Sequence, residues 1–203
     1  MLAKDRPGTR HFSVSFGAGS PAGGNQAVLV PLSRKQPVPV APERVRALRK
    51  HLVASMRAMR EMKHPERSAS PLRPEPAGFI GLVARTACGM CKGWCCKGGG
   101  EHAYLDERVM ARVRRAQPEL DARAVLRLYT DRVPAEACAG SCIFHGAQGC
   151  TLDRTLRSDV CNSYFCSSLG NYVKADAVAG SVLVIAGEGE EMHYSPVLTP
   201  EAC

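Results

Sequence analysis

Four cysteines fall within nine positions in the stretch CGMCKGWCC: Cys88, Cys91, Cys95 and Cys96, placed around the only tryptophan, Trp94. A second group follows at Cys138, Cys142, Cys150, Cys161 and Cys166, and Cys203 stands alone at the end. Thiols at this density make either a disulfide framework or a metal site. The N-terminus lacks the apolar run of a signal peptide, and no stretch is apolar enough to span a bilayer. The expected compartment is therefore the reducing cytoplasm, with no membrane partner, where metal ligation is favoured over disulfides. Two thiolates separated by two residues grip one ion when a tight turn points both sulfurs the same way. Gly89 and Gly93 are placed to supply such turns. Adjacent side chains in extended chain diverge, so Cys95 and Cys96 face two ions, or one ligates and the other does not.

Eight thiols in two halves predict either two four-sulfur sites or one polynuclear cluster. Zinc and iron, including an iron–sulfur cluster, both accept all-sulfur ligation, and the number of clustered thiols tips the expectation slightly toward iron. His145, between Cys142 and Cys150, could complete a mixed site, but it and His102, just after the first cluster, are read as surface or hydrogen-bonding residues before ligands; Cys138 is an extra thiol that could substitute as a ligand. Trp94 is read as a lid over the cluster. The radical-type and ferredoxin spacings, the G-x-G-x-x-G fingerprint and the P-loop are all absent. Asp153, Arg157 and Asp159 are expected to be supporting or surface groups, so no catalytic residue is assigned.

CGMCKGWCC resembles the CxxCxxxCC signature of the YkgJ-type cysteine cluster family of zinc- or iron-chelating domains. The later stretch CIFHGAQGCTLDRTLRSDVCNSYFC is similar to that family's second half, so the resemblance runs over residues 85 to 170. It implies Cys88, Cys91, Cys95, Cys96, Cys142, Cys150, Cys161 and Cys166 as metal ligands. The chain departs from the family where Ser158 follows Arg157 and Asn162 follows Cys161, in place of Arg-Pro and Cys-Arg, and the loop geometry is expected to differ there. Related clusters occur in flagellin lysine N-methylases. The resemblance thus leaves a cluster-dependent enzyme, N-methylase-like or redox, as the alternative to a metal-binding protein.

The elements that must position these thiols are unevenly charged. Residues 1–76 hold fourteen Lys and Arg against five Asp and Glu, a net of +9, while residues 77–203 hold thirteen against fourteen. The first part carries no cysteine and most of the prolines, and is read as a basic extension, mostly flexible, ahead of a cysteine-cluster domain at 77–203. Residues 1–40 are expected to be loosely ordered, apart from a short strand at AVLVP. Pro42 then opens a predicted helix over 43–63, with Val45, Leu48, Leu52, Met59 and Met62 on one stripe and Met56 beside them. Arg44, Arg46, Arg49, Lys50, Arg57, Arg60 and Lys63 line its other faces. Such a helix docks its stripe and leaves a solvated basic face; the sharper alternative is an anionic partner, including a zinc-dependent grip on nucleic acid.

Two more helices are predicted, at AYLDERVMARVRRAQ and LDARAVLRLYTDRV, with Arg108, Arg112, Arg115, Arg123 and Arg127 as their solvent face. SVLVIAG is a predicted strand, followed by a GEG turn. The fold expected is mainly α, with irregular metal-organised loops and a short C-terminal strand or hairpin.

Overall fold

In a computed structural model, which describes residues 25–34, 36–64, 72, 74–174 and 180–200, strands and helices alternate along the chain. The first are β1 (Gln26–Pro31), β2 (Pro37–Pro39), α1 (Pro42–Glu61) and α2 (Gly78–Cys91), then a 3-10 turn at Trp94–Gly98. Helices α3 (Glu107–Ala116) and α4 (Ala122–Thr130) follow, with short strands β3 (Glu136–Cys138), β4 (His145–Gly146) and β5 (Gly149–Cys150). The chain closes with α5 (Asp159–Ser163), α6 (Ser167–Lys174), β6 (Val182–Glu188) and β7 (Glu191–Tyr194).

Helix α1 starts at Pro42, as its sequence predicts, and buries Leu48, Leu52 and Met56 at four-residue steps. Those side chains pack on α3 and α4 with Val109, Met110, Val113, Val125 and Tyr129. Both partner helices begin on an aspartate cap. Asp106 accepts from the backbone N–H of Val109 at 3.0 Å, and Asp121 from that of Ala124 at 2.6 Å. Ile143, Phe144, Leu152 and Leu156, all from the second cysteine segment, complete this helical core.

A second core lies on the sheet β1–β6–β7. β1 runs parallel to β6, with Val28 opposite Val184, and β6 and β7 form the C-terminal hairpin. Val28, Val30, Val182, Val184 and Ala186 bury one face under α2 and α6, against Phe79, Val83, Ala87, Leu169 and Tyr172.

GFIGLVART forms α2, which runs into the first cysteines. The loose order expected up to residue 40 does not hold for the described part: Val28, Val30 and Leu32 are core residues, and β2 pairs with β3. The alternation in β1 is too short to announce a core strand alone, because its partner lies at the far end of the chain. In the second cysteine segment Ile143, Phe144, Leu152 and Leu156 are at most 3% exposed, docked on the helices. Packing thus crosses the compositional boundary near residue 76. Residues 1–24 and Cys203 lie outside the described residues. Among the described residues, no helix is long and apolar enough to cross a membrane.

Candidate metal centre

The eight cysteines arrive from two stretches of the chain, 88–96 and 142–166. Cys88 and Cys91 occupy the last turn of α2, three residues apart and therefore on one helix face. Gly89 is helical here, which corrects its expected role in a turn. The reversal comes afterwards, at Lys92 and Gly93, whose φ angles are 51° and 76°. It aims the backbone N–H groups of Trp94 and Gly93 at the Cys91 sulfur, where both favour the thiolate. Cys95 and Cys96 follow on the 3-10 turn, closed by a bond from the Cys96 N–H to the Gly93 carbonyl at 2.9 Å.

The second segment zips onto this turn. The Cys142 N–H donates to the Cys96 carbonyl at 3.0 Å, and the Ile143 N–H to the Gly100 carbonyl at 2.8 Å. The approach is so close that a Cβ at residue 99 would stand 2.8 Å from the Cys142 Cβ and 3.0 Å from its sulfur. Gly99 is therefore a packing requirement of the cluster. Gly93 is another, because a Cβ there would meet the His145 ring at 2.4 Å. Cys150 sits on β5, paired with His145 on β4.

Cys161 lies on α5, whose N-terminus is capped by Ser158; the same hydroxyl favours the Cys161 thiolate. Asn162, the departure from the family pattern, is buried and donates from its amide to the Arg154 carbonyl at 2.8 Å. Cys166 immediately precedes α6 and packs against the sheet core.

The charges around each sulfur show which thiols are neighbours. Burial, then Cys95, Cys91 and Cys166, pushes the Cys88 thiol up to about 11. The same neighbours, Cys95 and Cys166, act on Cys91, where burial is again the larger effect. Burial, reinforced by Cys150 and Cys161 against the Phe144 N–H, pushes Cys142 up to about 12. Cys161 is raised by burial and by Cys150 and Cys95. Cys95 and Cys96 share a hydrogen bond. It holds Cys95 down to about 7, as the thiolate acceptor, and raises Cys96, the donor, which also feels Cys142 and Cys150. Crowding coexists with access, since Cys88, Cys95 and Cys161 each keep an exposed face.

Thus the eight predicted ligands form one neighbourhood, but they do not form a closed coordination sphere. Among the described residues, no group of three or more His, Cys, Asp or Glu side chains converges to hold an ion as it stands. All nine described cysteines are free thiols. Cys138 lies apart in β3, its sulfur 3.9 Å from the Gly146 carbonyl. His145 is buried with Nδ1 2.8 Å from the Ser141 hydroxyl, and His102 accepts at Nδ1 from the Tyr104 N–H at 2.9 Å. Trp94 is half-buried, with the Lys97 ammonium 4.1 Å from its ring centroid.

Two arginines matter that were assigned to solvent. Arg112 is only 6% exposed; its guanidinium pairs with Asp159 and donates to the Arg157 carbonyl, clamping the N-terminus of α5 below Cys161. Its position three residues after Val109, beside Val113, already set it on the apolar face. Arg44 bridges both cysteine segments, with Nε 2.7 Å from Glu101 and its guanidinium donating to the Ser141 carbonyl at 2.6 Å. Its charge opposes, in small part, the burial that raises the Cys142 thiol. Nothing in the local sequence signals that bridge.

Compared with protein families, with curated proteins and with solved structures, the chain finds no match in any of the three.

Proposed function

We propose that this chain is a metal-binding protein whose thiolates, Cys88, Cys91, Cys95, Cys96, Cys142, Cys150, Cys161 and Cys166, chelate zinc or iron, the latter as ions or an iron–sulfur cluster. One observation carries the reading: two stretches far apart in sequence are zipped together beside their thiols, the Cys142 N–H on the Cys96 carbonyl, the Ile143 N–H on the Gly100 carbonyl and the Cys142 side chain against Gly99, while the Cys138 sulfur lies near the Gly146 carbonyl. The donor chemistry fits soft thiophilic metals. Burial keeps the protons on Cys91, Cys142 and Cys161, opposed in part by the N–H groups at Cys91 and Cys142 and the hydroxyl at Cys161, and binding would displace those protons. The free thiols suit a reducing compartment. The resemblance of CGMCKGWCC to the YkgJ-type signature supports the same reading from the motif. The test is anaerobic purification of the full chain, with metal and acid-labile sulfide measured against protein. Bound zinc or iron near stoichiometry supports it; a fully reduced chain that takes up neither metal overturns it.

A second reading concerns α1. Arg46, Arg49, Lys50, Arg57 and Arg60 are all exposed and fall within an arc of about 100° on the side of the helix away from Leu48, over about 21 Å of helix. Such a stripe suits an anionic partner, and phosphate contacts along nucleic acid would make binding fall steeply with salt. Salt-insensitive binding, or none, would remove this reading without touching the first.

A further inference from the structure

We propose that the open edge of β1 is a strand-docking site, and that its occupant is FSVSF, residues 12–16 of the same chain. The inference is independent of the thiols and rests on the sheet. Among the described residues, the one strand partner of β1 is β6. The Gln26 N–H donates to the Ser181 carbonyl at 2.9 Å and the Leu32 N–H to the Gly187 carbonyl at 3.0 Å, both toward the β6 side. In a parallel ladder the N–H and C=O of one residue point to the same side, and the side alternates along the strand. Ala27, Leu29 and Pro31 therefore turn their backbone groups to the open side. The edge closes again at Ser33, whose N–H donates to the Cys91 carbonyl at 2.9 Å. Residues 27–31 are left for a partner strand.

The same residues turn their side chains away from the sheet core. Leu29 is 44% exposed and lies opposite Ile185, which lies opposite Tyr194, 60% exposed. With Ala27, Leu183 and Met192 they form a second sheet face that carries no charged side chain. Parallel strands are ordinarily covered on both faces, and an edge strand is ordinarily guarded by charge. β1, QAVLVP, has no charged residue. Edge and face together fit a short apolar strand.

Residues 12–16 have that chemistry. Phe12, Val14 and Phe16 alternate with Ser13 and Ser15, the period of a half-buried strand. The segment is as long as the open edge, and residues 17–26, with four glycines and a proline, suffice to reverse the chain. Antiparallel pairing with Val14 opposite Leu29 sets Phe16 opposite Ala27 and Phe12 opposite Pro31. All three apolar side chains then join the apolar face, and Val14 and Leu29 exchange both hydrogen bonds. A slip of one residue would put the serines on that face instead. A short flexible linker holds its segment at an effective concentration of roughly millimolar, so in micromolar protein the chain's own segment outcompetes a second copy.

Amide exchange in the reduced full chain, read residue by residue by NMR, tests this. The Ala27 and Leu29 N–H groups are expected to exchange at least about tenfold more slowly than in a chain lacking residues 2–17. Val28 and Val30, bonded toward β6, should change little. Val14→Pro, which removes the donor facing Leu29, should reproduce the loss without truncation, and Val14→Ile should keep the protection. Side-chain Overhauser contacts should join Val14 to Leu29. Unchanged exchange at Ala27 and Leu29 in both the truncated and the Val14→Pro chains, whether fast or slow, would overturn the proposal. Protection that rises with protein concentration, with contacts between labelled and unlabelled chains, would mean that a second copy fills the edge and would overturn the assigned occupant.

Discussion

Two glycines on either side of Cys91 should respond to alanine with opposite signs. Gly93 has φ at 76°, and a Cβ there would stand 2.4 Å from Nε2 and 2.6 Å from Cε1 of His145. The left-handed conformation alone costs an alanine about 1–2 kcal/mol. The ring cannot swing aside cheaply, because His145 is 2% exposed and held at Ser141. Overpacking of that kind adds about 1–3 kcal/mol. Gly93→Ala should therefore destabilise by about 2–5 kcal/mol, a large share of the roughly 5–15 kcal/mol of an ordinary domain. Gly89 is helical, and a Cβ there meets nothing within 4 Å. Gly89→Ala should stabilise by roughly 0.5–1 kcal/mol. Urea denaturation of both variants and the wild type, reduced and matched for metal content, reads the difference as shifts of midpoint at constant slope. Equal shifts in one direction would refute the placement of the reversal after Cys91, and so the helical pairing of Cys88 with Cys91.

Cys95→Ser should remove much of the bound metal, while Cys203→Ser should leave the metal content unchanged. Leu52→Ala, at a side chain with no exposure, should cost about 2–5 kcal/mol, read as a lower denaturation midpoint. Replacing Arg112 with Met leaves Asp159 without its partner, but that carboxylate is 32% exposed and solvent screens it. We therefore expect about 1–3 kcal/mol, less than for a fully buried pair, with faster proteolysis around α5. Stability should also depend on pH in opposite senses with and without metal. The raised thiols at Cys88 and Cys142 bind protons more tightly folded than unfolded, so the metal-free, reduced chain keeps their contribution below pH 9 and loses it as pH rises toward 11 and 12. Metal binding displaces those protons, so affinity should rise over the same range; chelator competition at several pH values reads it.

The sequence by itself determined the main helices and the two spaced groups of thiols on which the proposed metal binding rests. Pro42 and the stripe through Leu48, Leu52 and Met56 mark a helix because start signal and period are local properties. The C-terminal strand was legible from its β-branched run for the same reason. What only the tertiary structure decided is nonlocal. The parallel pairing of β1 with β6 joins segments more than 150 residues apart, and neither strand names its partner. The reach of Arg44 to the second cysteine segment depends on how α1 crosses the core. Arg112 was placed with the solvent-facing arginines because charge usually outweighs position in such a reading; a carboxylate and a carbonyl waiting on α5 and its approach made burial tolerable. The same holds for the thiols. Spacing groups them along the chain, but only the tertiary structure places Cys91 and Cys166 against the sheet core and Cys96, Cys142 and Cys150 against the helical core.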